Sequence, residues 1–252
     1  MKQPIGLFDS GVGGISVLRD AIKCMPNEDF VYFADDKNAP YGTKTEHQIR
    51  KHALNAIELL LAHCVKAIVI ACNTATAAAA LEARSIHTIP IIGMEPALKP
   101  ASLLRRRGKI LVLASPLTLS LPKFHSLMCL YGQEAVAVPC PGLMEFVERG
   151  EIAGTKVKQY LSCLLTPYLN DPVDALVLGC THYIFLRPPI IEMMPEGTYV
   201  IDGNEGTVKQ LKKRLGDVGQ LTDSNQPGKV LLLSSGNKQD TVPFMKRLLH
   251  SE

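Results

Sequence analysis

The chain has 252 residues, 46% hydrophobic and 20% charged, with 27 basic and 24 acidic side chains. That length accommodates one large α/β domain or two of roughly 100–130 residues, either with a proper core. Ordinary hydrophobicity and a net charge of only +3 exclude a globally disordered chain, and no strong case for nucleic acid follows from the charge balance.

Short aliphatic and β-branched runs predict strands, in order, at Pro4–Phe8, Phe30–Phe33, Ala67–Ala71, Ile89–Gly93, Lys109–Ala114, Glu134–Val138, Asp174–Gly179, Thr198–Ile201 and Lys229–Ser234. Most are continuous apolar runs, the pattern of strands covered on both faces. Helix-length stretches fall between them at Gly14–Cys24, Thr45–His63, Thr74–Ser85, Pro122–Leu130, Met144–Arg149, Ile152–Leu169 and Asn204–Leu215. This alternation predicts an α/β fold with largely parallel sheets. Gly93-Met94-Glu95-Pro96 reads as a crossover into a second sheet, and Asp202-Gly203-Asn204 as the return. Two similar domains are therefore expected: a discontinuous first domain of 1–93 plus 209–252, and a second of 94–208. A single doubly wound sheet is the alternative.

The Arg105-Arg106-Arg107 run with Lys109 reads as a solvated loop before a strand, since no aromatic residues interleave with it as a single-strand platform requires. The longest purely apolar stretches, such as Ala67–Ala71 and Ile110–Ala114, fall far short of the ~20 residues of a spanning helix. MKQPIGLFDSG lacks the charged lead and apolar stretch of a signal peptide. Seven cysteines without a dense spacing pattern argue against a secreted disulfide scaffold. A cytoplasmic enzyme with free thiols is expected.

An internal echo is the most informative feature. Ile68-Val69-Ile70-Ala71-Cys72-Asn73-Thr74 is matched by Leu176-Val177-Leu178-Gly179-Cys180-Thr181-His182. Each is an apolar strand ending in a small residue, then a cysteine, with threonine close behind. Open α/β sheets present ligands at the carboxyl ends of their strands, so both thiols fall where a site belongs. A helix starting at each turn brings backbone N–H groups to the sulfur and favours thiolate. Cys24, Cys64, Cys129 and Cys163 read as buried structural thiols, with Cys140 undecided. Zinc held by Cys72, Cys180, His182 and Asp9 is a rival reading, although no closely spaced ligand pair supports it. A redox disulfide is another, without the C-x-x-C motif.

Asp9-Ser10-Gly11-Val12-Gly13-Gly14 follows the first strand and opens a helix, exposing amides to an anion the size of a carboxylate. Pro40-Tyr41-Gly42, after Asp35-Asp36, is a turn whose backbone and Tyr41 hydroxyl are candidates to line a pocket. Asn73, Thr74, Thr118 and Thr181 add neutral hydrogen-bonding groups, together suiting a small zwitterionic or anionic ligand. His182, two residues after Cys180, suits proton transfer near neutral pH; Glu148 is a weaker candidate.

These segments together resemble one family. DSGVGG at 9–14, PYG at 40–42, ACNTAT at 71–76, Cys-Pro-x-Leu-x-x-x-Val-Glu-x-Gly at 140–150 and GCTHY at 179–183 are similar, in the same order, to the glutamate racemases, a branch of the aspartate/glutamate racemase superfamily. The resemblance implies a cofactor-independent isomerase of two α/β domains with its active site in the cleft between them, interconverting L- and D-glutamate for peptidoglycan. By position, Cys72 resembles the base acting on D-glutamate and Cys180 the base acting on L-glutamate. Asp9, Glu148 and His182 resemble auxiliary acid/base groups. Ser10, Pro40, Tyr41, Gly42, Asn73, Thr74, Thr118 and Thr181 resemble the substrate-binding set. No metal is implied, and a homodimer is expected. Two places depart from the family pattern: Ala114-Ser115-Pro116-Leu117-Thr118, where Ala-Thr-x-Gly-Thr is frequent, and Asp202-Gly203, where Asp-Ser is common. A two-domain amino-acid receptor without chemistry and a racemase for aspartate remain the competing functions.

Overall fold

A computed structural model describes residues 3–250. The chain forms two compact units: one takes the residues up to Met94 and from Asn204 onward, the other is Glu95–Gly203. The first stretch carries β1 (Ile5–Asp9), α1 (Ile15–Cys24), β2 (Phe30–Ala34), α2 (Glu46–Leu61), β3 (Ala67–Ile70), α3 (Asn73–Ile86) and β4 (Ile91–Gly93). The second unit carries α4 (Leu98–Leu104), β5 (Lys109–Ala114), α5 (Pro116–Ser120), α6 (Pro122–Tyr131), β6 (Ala135–Pro139), α7 (Leu143–Glu148), α8 (Thr155–Leu165), β7 (Val173–Leu178), α9 (Arg187–Ile191) and β8 (Tyr199–Asp202). After the return come α10 (Asn204–Asp217), β9 (Val230–Ser234) and α11 (Lys238–His250). The expected return at 208/209 would cut α10; the compact units divide at its first residue instead.

Both sheets are parallel throughout. The first has the order β4-β3-β1-β2-β9, the second β6-β5-β7-β8. In the first, the chain leaves β1 toward β2 on one side and later places β3 on the other. Adjacent strands β1 and β3 therefore send their following helices in opposite directions and leave a crevice at their carboxyl ends, the topological switch point where open α/β sheets hold ligands. The second sheet repeats the device with β5 and β7. The β1 and β3 side chains are buried along their full lengths, as are all but the first and second residues of β5 and β7 respectively. This rigid support is what the continuous apolar runs encode.

Local sequence sets the helix starts. Thr45 and Gln48 form a reciprocal capping box at α2. Ser115 caps α5, accepting from the Thr118 amide at 3.2 Å, with Pro116 at the first helical position. The second unit's core lies between its helices and sheet, with Leu98, Ile110, Val112, Phe124 and Val177 at its centre. At the opposite, amino-terminal end of the first sheet, Lys66 Nζ meets Glu28 Oε2 at 2.5 Å in a buried ion pair, and also donates to the Gln220 carbonyl at 2.7 Å. Among the described residues no helix is long and apolar enough to cross a membrane.

The minor cysteines depart from expectation. Cys64, Cys129 and Cys163 are exposed and Cys24 is half-buried, whereas Cys140 is buried. Cys129 and Cys163 sit two positions from the buried Leu127, Leu161 and Leu165. At 3.6 residues per turn, that spacing carries them to the outer faces of α6 and α8.

Candidate active site

In the first unit the site begins where β1 ends. Asp9 is fully buried, and its Oδ1 accepts from the Gly11 amide at 3.0 Å and the Ser10 hydroxyl at 3.4 Å. The phenol of Tyr32 donates to the Gly11 carbonyl at 2.8 Å, fixing the turn from the neighbouring strand. Gly14 must be glycine: a Cβ there would lie 2.7 Å from Asp9 Cβ and 3.0 Å from Ala71 Cβ. The start of α1 thus sits directly on the ends of β1 and β3. Across the switch point, the Ala71 amide extends the ladder to the Phe8 carbonyl at 2.9 Å and delivers Cys72 to the first turn of α3. Cys72 is 6% exposed and caps that helix, its Sγ accepting from the Ala75 amide at 3.5 Å. A sulfur receiving an N–H at the positive end of a helix is held in a setting that favours thiolate.

Asn73 and Thr74 follow Cys72 and are buried. Neither Oδ1 nor Nδ2 of Asn73 has a hydrogen-bond partner among the described residues. Buried amides without partners cost stability, and ligand-binding positions are where such groups are retained. The Pro40-Tyr41-Gly42 segment enters a 3-10 turn, Tyr41–Thr43, after a cis Ala39–Pro40 peptide. Tyr41 is 1% exposed, its hydroxyl donates to Asp35 Oδ2 at 2.6 Å, and Asn38 Nδ2 donates to the same carboxylate at 3.0 Å. Burial, the bond to Asp35, and the negative charges of Asp35, Cys72 and Asp9 all push the phenol far above its ordinary range, so it stays protonated. Its donor is thereby committed to Asp35, a residue that the sequence marks only as part of a turn. The available signal is its position at the end of β2, alongside Asp9 at the end of β1.

The second unit presents Cys180 at the matching place. The Gly179 amide donates to the Leu113 carbonyl at 2.7 Å, and a Cβ on Gly179 would lie 2.6 Å from that oxygen, so β7 passes β5 at glycine distance. Beyond the strand the expected symmetry breaks. Cys180 leads into a 3-10 helix, Thr181–Leu186, and makes no side-chain cap bond there. Its partner is instead a side chain: Cys180 Sγ lies 3.6 Å from His182 Nδ1, and His182 Nε2 lies 2.6 Å from Glu148 Oε1. Burial pulls the His182 imidazole down, but hydrogen bonding to Cys180 and Glu148, and their negative charges, outweigh it. The net direction is well above the ordinary histidine value. The three groups form a line through opposite ring nitrogens, and among the described residues no three His, Cys, Asp or Glu side chains are grouped to hold a metal ion.

Gly142 turns the chain at φ 79° into α7, the helix that carries Glu148. Thr181 is buried with its Oγ1 3.5 Å from His182 Nδ1. Thr118 is buried after β5, its Oγ1 2.9 Å from Ser115 Oγ. Cys140 donates to the Val138 carbonyl at 3.2 Å, and burial, then the nearby Cys180 charge, pushes its thiol up, which marks it as an inert neighbour. Next to the departure at Gly203, the Asp202 carboxylate pairs with Arg187, which also donates to the Val200 carbonyl at 2.6 Å. Cys72, Asp9, Ser10, Asn73, Thr74 and the Tyr41 turn thus occupy the carboxyl-end region of one sheet, and Cys180, His182, Glu148, Thr118 and Thr181 that of the other.

The chain is thus a doubled parallel α/β fold with a thiol at the switch point of each sheet. Residues 16–211 match the Asp/Glu/hydantoin racemase family model. A glutamate racemase from Clostridium novyi is 49% identical over 252 residues, covering 98% of this chain and 97% of that protein. A crystal structure of a glutamate racemase isoform from Bacillus anthracis is similar with a TM-score of 0.90 at 30% identity, covering 99% of this chain and 95% of that one. A glutamate racemase from Francisella tularensis, crystallised with D-glutamate, gives a TM-score of 0.84 at 28% identity, covering 100% and 95%. The chain belongs to the Asp/Glu/hydantoin racemase family.

Proposed function

We propose that this chain interconverts L- and D-glutamate by direct proton transfer between the substrate α-carbon and two thiols, Cys72 and Cys180, without a cofactor. The observation that carries the reading is the pair of cysteines at equivalent switch points, Cys72 receiving the Ala75 amide and Cys180 lying against the His182 imidazole. The names of the relatives support glutamate as substrate.

Inverting a stereocentre through a planar carbanion needs a proton acceptor on one face and a donor on the other. With D-glutamate bound, the Cys72 thiolate takes the α-proton, the electron pair delocalises into the carboxylate, and the Cys180 thiol returns a proton to the opposite face. The product is L-glutamate, with Cys72 now thiol and Cys180 thiolate; the reverse reaction restores them. The Ser10 amide and the start of α3 supply donors for the substrate carboxylate, where negative charge develops. Asn73, with both ends of its amide unpaired among the described residues, hydrogen-bonds substrate along with Ser10, Thr74, Thr118 and Thr181. Pro40, Tyr41 and Gly42 form the neighbouring wall. His182, held protonated by Glu148, stabilises the Cys180 thiolate, and Asp9 plays the auxiliary acid/base part beside Cys72.

On the same reading the enzyme is a cytoplasmic homodimer that supplies D-glutamate to peptidoglycan. The test is purified protein with L-glutamate and no additive in D2O. Loss of optical activity, together with deuterium at the α-carbon of both enantiomers, is expected. A protein that binds glutamate without exchanging its α-proton would end the proposal, and a higher kcat/KM for aspartate would reassign the substrate.

A further inference from the structure

Adjacent acids Asp35 and Asp36 face different partners. Asp35 turns inward to Asn38 and Tyr41. Asp36 turns to the connection between β9 and α11, about 200 positions further along. Its Oδ1 accepts from Ser234 Oγ at 2.8 Å, the Gly236 amide at 2.9 Å and Ser235 Oγ at 3.4 Å. Its Oδ2 accepts from Thr241 Oγ1 at 2.7 Å. The tie also runs the other way, since the Lys37 amide donates to Ser235 Oγ at 3.1 Å. A Cβ on Gly236 would lie 2.5 Å from Asp36 Oδ2, so any larger residue there would push the carboxylate from its present place. The charge is met by hydroxyl and amide dipoles, a geometry far more specific than a surface ion pair.

We infer that Asp36 is a positioning residue: it fastens the β9–α11 connection to the turn Asp36–Asn38 and so sets how Asp35 holds Tyr41. The residues after β9 then govern substrate affinity without touching substrate. This rests on the racemase reading above for its kinetic consequence, but the loop contacts stand on geometry alone. Strand pairing of β9 with β2 brings the connection to this place, the Ser235 amide continuing the ladder to the Ala34 carbonyl at 2.9 Å.

Asp36→Ala, the double variant Ser234→Ala/Thr241→Val, and the three changes combined separate the outcomes. Expected for Asp36→Ala is a KM for glutamate raised about tenfold with kcat within about twofold of the parent. The double variant should raise KM in the same direction, and the combined variant should go no further than Asp36→Ala, because one network is being removed twice. Amide hydrogen exchange over residues 36–44 is measured in the same proteins and should accelerate while β1 and β3 amides do not. Lowered thermal stability with KM and loop exchange unchanged would make Asp36 merely structural, and additive effects would equally overturn the inference. A parent protein without racemisation would instead refute the proposed function, with loop exchange still deciding the role of Asp36.

Discussion

Replacing Glu148 by Gln keeps the shape of the side chain and removes its charge. In the parent, Oε1 lies 2.6 Å from Nε2 of a His182 that is only 1% exposed. At that separation and an effective dielectric near 20, the gross attraction is about 6 kcal/mol. Burying the imidazolium consumes most of it, leaving the ~1.5–3 kcal/mol typical of a hydrogen bond to a charged group. His182 binds its proton more tightly when folded, since its value is raised well above that of an ordinary histidine. The resulting stabilisation is fully present below the unfolded value of about 6.5 and is lost as pH rises through the folded one. Parent and Glu148→Gln should therefore differ most in stability just below about pH 6.5 and converge at alkaline pH. Near neutrality the variant loses the imidazolium that supports the Cys180 thiolate, so kcat/KM should fall roughly 10- to 150-fold, the rate equivalent of that energy. Racemisation followed by circular dichroism across pH, with NMR titration of His182, reads both effects. An unchanged pH–rate profile, or a His182 that titrates at the same pH in both proteins, would refute the reasoning.

Other changes test other parts of the site. Cys72→Ala and Cys180→Ala should each fold normally and bind glutamate, yet show no detectable racemisation; full turnover in either would exclude the two-thiol scheme. Asn73→Leu removes a buried amide that has no partner among the described residues, so the melting temperature should hold or rise while KM increases. Gly14→Ala forces a methyl to within 2.7 Å of Asp9 Cβ and should cost about 1–3 kcal/mol by overpacking, measurable in urea, with a parallel loss of activity. Lys66→Met leaves Glu28 buried without its cation; a loss of about 3–5 kcal/mol is expected, and a fully stable variant would contradict the structural weight given to that pair.

Alternating apolar and helical periods make the α/β class legible because strands such as β1, β3 and β7 are buried almost throughout and read as unbroken aliphatic runs. The same pattern misleads at the sheet edge. In β9, Val230 and Leu231 are exposed although Val-Leu-Leu-Leu reads as fully covered. Helix α11 is hidden in the sequence because Pro243 interrupts it and only Met245 and Leu248 are buried, too short a pattern to register. The thiols are legible from strand-end position, but their different partners are not. Whether a cysteine caps a helix or meets a histidine depends on backbone after the turn, which is α-helical at Cys72 and 3-10 at Cys180. Asp36 is invisible for a related reason: its donors lie some two hundred residues away, where local pattern carries no information.

The division at Met94 and Asn204 has a consequence for biosynthesis. During translation, Glu95–Gly203 emerges as one uninterrupted piece and can fold as soon as it clears the ribosome. The other unit has to wait, because β2 stays an open edge until β9 arrives to pair with it. The half bearing Cys72 therefore gains its last strand only near the end of synthesis, and the nascent chain carries the open edge of β2, a site for mispairing, for as long as the intervening unit is being made.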